Sequence, residues 1–128
     1  MKTLTLIFAL FVSTVMFSSP SYAQWTKAGE SLDGTIYYVD YDRMRKHDGF
    51  IYYWWLSDLS KPDKDGDLSY KSYNQGDCKV FRFKQLRLTY HKGAMGGGNG
   101  YEFTTTRKWY YPAPKTVNEL ILKQVCSR

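Results

Sequence analysis

The sequence predicts a small exported α+β domain, with about six strands followed by one C-terminal helix joined to the strands by a disulfide. Three observations lead there. Tyr, Trp, Phe and β-branched residues, punctuated by turn residues, dominate the chain from Trp25 to Tyr111. The apolar spacing switches to a helical period only at the end, in "TVNELILKQVC". Cys78 and Cys126 are the only two cysteines, and in an exported chain two cysteines most simply pair.

The first 23 residues read as a secretory signal peptide, with Lys2, an apolar run from Leu4 to about Phe17, Pro20, and small residues at Ser21 and Ala23. The run is shorter than the ~20 residues of a spanning helix, so no membrane span is expected. Gln24, not a cysteine, follows the expected cleavage point, so a product without a lipid anchor is expected, periplasmic or secreted. Residues 24–128 suit one small domain, which a covalent staple would help because its core is limited. Removing Lys2 leaves 17 Lys and Arg against 12 Asp and Glu, a net charge near +5. That favours acidic partners, and export excludes nucleic acid.

Along the mature chain, "QWTKAGE" reads as a first strand, and Asp33-Gly34 as a tight turn. Thr35 to Asp40 is a second strand, "YDRMRKHDG" a turn or one helical loop, and "FIYYWWLS" a third strand. "DLSKPDKDGD" is a polar hairpin loop and "LSYKSYNQGD" a strand of mixed character. The longest strand candidate is "CKVFRFKQLRLTYHK", whose apolar residues conflict in parity: Phe81 and Phe83 lie on one face, Leu86, Leu88 and Tyr90 on the other. A β-bulge near Lys84-Gln85 resolves the conflict, because one extra residue reverses the phase. Arg82, Lys84, Arg87 and His91 then form a basic stripe on the outer face. "GAMGGGNG" is a flexible connection, and "YEFTTTRKWYYP" contains the last strand. Val117, Leu120, Ile121 and Val125 mark one face of a helix of about ten residues. Thr116 and Glu119 form its capping box.

Five of the six residues from Phe50 to Trp55 are aromatic, so both faces of this strand are rich in rings, and a ten-residue helix covers only part of one face. The other face is curled inward, packed by loops, or shared with a ligand or a second copy in a homodimer. Tyr53 and Trp55 are the candidate aromatic face, and Arg82, Lys84 and Arg87 the candidate binding stripe.

Catalytic and metal signals are weak. Counted from Asp63, "DKDGD" puts glycine at position 4 and Asn74 at position 12, where a calcium-binding EF-hand loop needs glycine at 6 and glutamate at 12. The glycine run lacks the Lys-Ser/Thr pair of a phosphate loop. Neither His47 nor His91 belongs to a recognisable acid–base arrangement. The reading is a non-enzymatic protein with no cofactor and no metal.

Several segments in order resemble the bacterial surface-adhesin protein E domain family. They are "W-x-K-x-G-E" at Trp25 to Glu30, "YYVD" at Tyr37 to Asp40, "RMRK" at Arg43 to Lys46, "WWLSDLSKP" at Trp54 to Pro62, and "SYKS…DC" at Ser69 to Cys78. "TYHKGAM", "WYYP" at Trp109 to Pro112, and a final "VC" at Val125-Cys126 complete the series. The resemblance implies a single antiparallel sheet of about six strands, a C-terminal helix, and a disulfide joining helix to sheet. It also implies non-catalytic binding to host extracellular-matrix or envelope proteins. The alternative is a periplasmic inhibitor or envelope-stress protein such as a lysozyme inhibitor, although lysozymes are themselves usually basic and suit a chain near +5 poorly.

Overall fold

The computed structural model describes residues 24–128, so the expected signal peptide lies outside the described residues. Its strands are β1 (Thr26–Glu30), β2 (Ile36–Val39), β3 (Arg45–His47), β4 (Phe50–Asp58), β5 (Ser69–Asp77), β6 (Arg82–His91), β7 (Gly100–Phe103) and β8 (Trp109–Tyr110). Helix α1 (Val117–Cys126) follows. All described pairings are antiparallel, in one sheet of order β1-β2-β4-β5-β6-β7. Two short strands lie in line with others: β3 continues the β2 edge of β4, and β8 continues the β7 edge of β6. The sheet is therefore six strands wide, as expected, and the Cys78–Cys126 disulfide is present.

Three segments differ from expectation, the simplest being "YEFTTTRKWYYP", which carries two short strands, β7 and β8, where one was expected. "YDRMRKHDG" is not one loop: a 3-10 turn at Tyr41–Arg43 leads into β3, which returns as β4 across a two-residue hairpin. Asp48 and Gly49 both adopt positive φ (51° and 82°), as a type I′ hairpin requires. Cys78 does not start the long strand. It stands in a turn where the Asp77 carboxylate accepts the N–H groups of Lys79 (3.1 Å) and Val80 (3.3 Å), and β6 begins only at Arg82.

The bulge lies within a residue or two of the expected place. Tyr73 pairs with Arg87 and Asn74 with Gln85, so Leu86 is the unpaired residue of β6. It puts Phe83, Gln85, Leu88 and Tyr90 on one face, and Arg82, Lys84, Arg87 and His91 on the other.

The first of these faces carries α1. Ile121, Leu122 and Val125 pack on Val39, Ile51, Tyr53 and Trp55, each buried aliphatic side chain contributing about 1.5–3 kcal/mol. The helix fits because its neighbours on β5 are small: Gly76, Asn74 and Ser72 lie opposite Ile51, Tyr53 and Trp55. A Cβ on Gly76 would stand 2.9 Å from Ile51 Cγ2 and 3.0 Å from Leu122 Cδ1. Thr116 Oγ1 accepts the Glu119 N–H (3.3 Å), while the Glu119 carboxylate reaches back to the Lys115 N–H (3.2 Å), one residue before the cap. At its far end the helix is tied down by the disulfide, by Gln124 Nε2 donating to the Ala28 carbonyl (2.8 Å), and by Tyr41 donating to Gln124 Oε1 (3.0 Å).

Candidate binding face

Tyr53 and Trp55, the expected aromatic face, belong instead to the core, at 1% and 4% exposure. The physical reason is the row of small β5 residues, which gives their side of β4 to the helix. Trp55 keeps a contact with the floor of a 550 Å³ groove beside the helix N-terminus, lined also by Tyr70, Leu88 and Tyr90. The open aromatic residues are those of opposite parity, Phe50, Tyr52 and Trp54.

On that outer face the rings continue across the sheet. Tyr73 lies 4.8 Å from Trp54 and 6.3 Å from Tyr52 between ring centroids, and Phe50 lies 5.5 Å from Trp109. The expected basic stripe runs beside them. Arg82 and Lys84 both approach the Trp109 ring, at 4.2 and 4.6 Å from its centroid, and Arg87 stands 5.7 Å from that of Trp54. Such cation–π contacts hold long side chains upright over the sheet. Arg82 also pairs with Asp77 (3.0 Å) and Arg87 with Glu102 (2.6 Å), while Lys84 has no ion-pair partner among the described residues. Burial opposes the Asp77 charge, but Arg82 and the backbone N–H groups of Val80 and Lys79 outweigh it and hold its pKa below the usual carboxylate value.

His91, expected at the end of the stripe, is on the right face but buried. The glycine-rich connection folds back over this end of the sheet and covers it, together with Leu56 (0% exposed). Ser69 fixes the connection, its hydroxyl donating to the Gly93 carbonyl (2.7 Å) and accepting the Gly96 N–H (2.8 Å), and Asp58 accepts the Met95 N–H (2.8 Å). No sequence pattern announced this fold-back, because glycines permit many paths equally.

The acidic hairpin loop gathers Asp63, Asp65 and Asp67, with carboxylate oxygens within 4.8 Å of one another. A lysine supplies positive charge there: Lys92 Nζ donates to the Asp65 carbonyl (2.6 Å) and lies 3.1 Å from Asp67 Oδ1, while Tyr101 donates to Asp67 Oδ2. That tyrosine bond, followed by the lysine, offsets burial and keeps the Asp67 pKa below the usual range. The histidines are apart: His47 pairs with Asp48 at the surface (3.1 Å), and neither ring nitrogen of His91 has a hydrogen-bond partner. No described helix is long and apolar enough to cross a membrane.

A six-stranded antiparallel sheet, with a disulfide-linked helix over the β1–β4 part of one face and the other face left aromatic and basic, defines a small domain of α+β class. Residues 25–127 match the surface-adhesin protein E family, and the chain belongs to it. No curated protein matches the sequence. Among solved structures the chain is similar to crystal form II of Haemophilus influenzae protein E, at TM-score 0.65 and 13% identity, covering 84% of this chain and 91% of that one. It is also similar to protein E from non-typeable Haemophilus influenzae, at TM-score 0.59 and 12% identity, covering 85% and 79%. At such identity these two likenesses speak for the fold.

Proposed function

We propose that this protein is an exported, non-catalytic binding module of adhesin type, which engages an acidic protein of the host matrix or the bacterial envelope through its outer sheet face. The observation that carries the reading is the alignment of Arg82, Lys84 and Arg87 beside the row Tyr52, Trp54 and Tyr73, on the face the helix leaves free. Aromatic rings and arginine are the residues that anchor protein interfaces, and cations of one sign steer an acidic partner. Export accords with the disulfide, a bond of oxidising compartments, and with the family.

Binding to immobilised matrix proteins and to a solubilised envelope fraction tests this. Micromolar binding that weakens with salt and is lost in Lys84→Glu supports it; no binding to either set removes the adhesin reading. A second copy of the chain is the rival occupant of this face. Sedimentation equilibrium over a hundredfold concentration range (roughly 2.7 kcal/mol of mass action) distinguishes them, and a dimer dissociated by Lys84→Glu would replace the heterologous partner.

A further inference from the structure

A cleft of 310 Å³ opens on the outer face beside the basic stripe, lined by Trp25, Asp40, Arg43, Trp54, Lys71 and Met95. Its volume is at the lower end of the ~300–1,000 Å³ typical of small-ligand sites. It is built by five separate pieces of chain, Asp40 and Arg43 coming from the 3-10 turn after β2. Trp25 stands just before β1, Trp54 and Lys71 project from adjacent strands, and Met95 comes from the folded-back glycine connection. Gly96, at φ +74°, lies against the stem of Lys71, where a Cβ would meet Lys71 Cδ at 3.3 Å.

The charges in this cleft are unequal. Asp40, 0% exposed in the floor, is committed to Arg43: its Oδ1 accepts the Arg43 backbone N–H (3.3 Å), and its Oδ2 lies 3.5 Å from Arg43 Nε. It therefore fixes the guanidinium at the rim. Lys71 has no ion-pair partner among the described residues. Burial, then the charges of Arg43 and Arg87, lower its pKa, so an anion entering here would relieve a positive field that Asp40, the acidic residue of the lining, compensates only in part.

A ligand for this site needs a flat apolar face for the indoles, polar edges for a solvent-open cleft with charged walls, and one negative group for Lys71 and Arg43. A purely apolar ligand would strand the charged side chains, and a bare inorganic anion would leave the two indoles unused. One chemistry meets all three needs. We propose that the cleft is a binding site for an acidic sugar, a pyranose carrying a carboxylate, with its C–H face on Trp25 or Trp54 and its carboxylate on Lys71 and Arg43. A charge-assisted hydrogen bond from the ammonium is about twice as strong as a neutral one, which makes the acid the determinant of selectivity.

The test is a titration of the intact protein, followed through its indole N–H resonances, with 3′-sialyllactose, a hyaluronan tetrasaccharide and neutral lactose. At least one acidic saccharide perturbs the Trp25 and Trp54 signals and leaves the Trp55 signal in place, and lactose binds at least about tenfold more weakly. The arm that binds names the source, sialylated glycan or uronic-acid polymer. Lys71→Gln weakens binding by about tenfold, a loss of roughly 1.4 kcal/mol, and Trp25→Ala, placed outside the strand ladder, weakens it without unfolding the sheet. Lactose equal to the acids, unaltered affinity in Lys71→Gln, or no indole response to either acid overturns the site. The cleft shares Trp54 with the proposed protein-binding row, but Lys84→Glu reads out the one and Lys71→Gln the other, so each fails by itself.

Discussion

The two faces of the sheet are made from the same strands yet obey different physics. On the helix side, Ile51, Tyr53 and Trp55 are closed under Ile121, Leu122 and Val125, and a Cβ added at Gly76 would meet Ile51, Leu122 and Tyr53. On the outer side, Tyr52, Trp54 and Tyr73 are half-buried by one another and by cations, and no helix covers them. Aromatic content does not distinguish the faces. Room does: β5 offers Ser72, Asn74 and Gly76 to one side and Lys71, Tyr73 and Gln75 to the other. The face under the helix holds stability, recognition is proposed for the open face, and substitutions can separate the two.

The disulfide should give the largest effect. Its 48-residue separation predicts a loss of about 4 kcal/mol in Cys78→Ala/Cys126→Ala by chain entropy, read from urea unfolding. If the faces are independent, the fraction still folded binds partner as before, and weaker binding per folded molecule would break the comparison. Gly76→Ala is next. The new Cβ crowds Ile51, Leu122 and Tyr53, and the expected cost is about 1–3 kcal/mol, with no change in binding at a temperature where the variant is folded.

On the open face the ordering reverses. Lys84→Glu should shift stability by less than about 0.5 kcal/mol while abolishing salt-sensitive partner binding. A large loss of stability would mean that the Trp109 contact is structural.

The smallest effect is a pH dependence at His91. Burial, and then the charge of Lys71, lower its pKa, with Asp67 opposing. The folded state therefore holds the ring neutral, while the unfolded chain takes up a proton near its ordinary value of 6.5. Because the unfolded state binds more protons there, stability is full above that pH and declines below it. His91→Gln should flatten unfolding free energy between neutrality and mild acid; an unchanged slope would assign the titration elsewhere.

Much of the fold was legible because its signals are local. The parity conflict of Phe83 against Leu88 and Tyr90 demanded a bulge, which lies at Leu86. Thr116, Glu119 and the i, i+3, i+4 spacing defined the helix. Strand β3 escaped notice because "RKH" has no apolar residue to reveal a period, although Asp48-Gly49 is a hairpin signal. The site was half legible. The stripe Arg82, Lys84, Arg87 followed from the bulge, but the aromatic side did not, because β4 is apolar in both parities. The small residues of β5 held that answer, and they matter only once β5 is known to lie beside β4. The cleft at Trp25, Asp40 and Lys71 joins segments distant in the chain, which no spacing rule connects.

The alternation of β4 and β5 has a consequence for divergence. Neighbouring residues such as Tyr52 and Tyr53, or Tyr73 and Asn74, answer to different packing constraints, since one meets the outside and the next the helix side. A lineage can rewrite every second position of these strands and keep the same backbone. Solved structures at 12–13% identity share this fold, and the frame tolerates that much sequence difference.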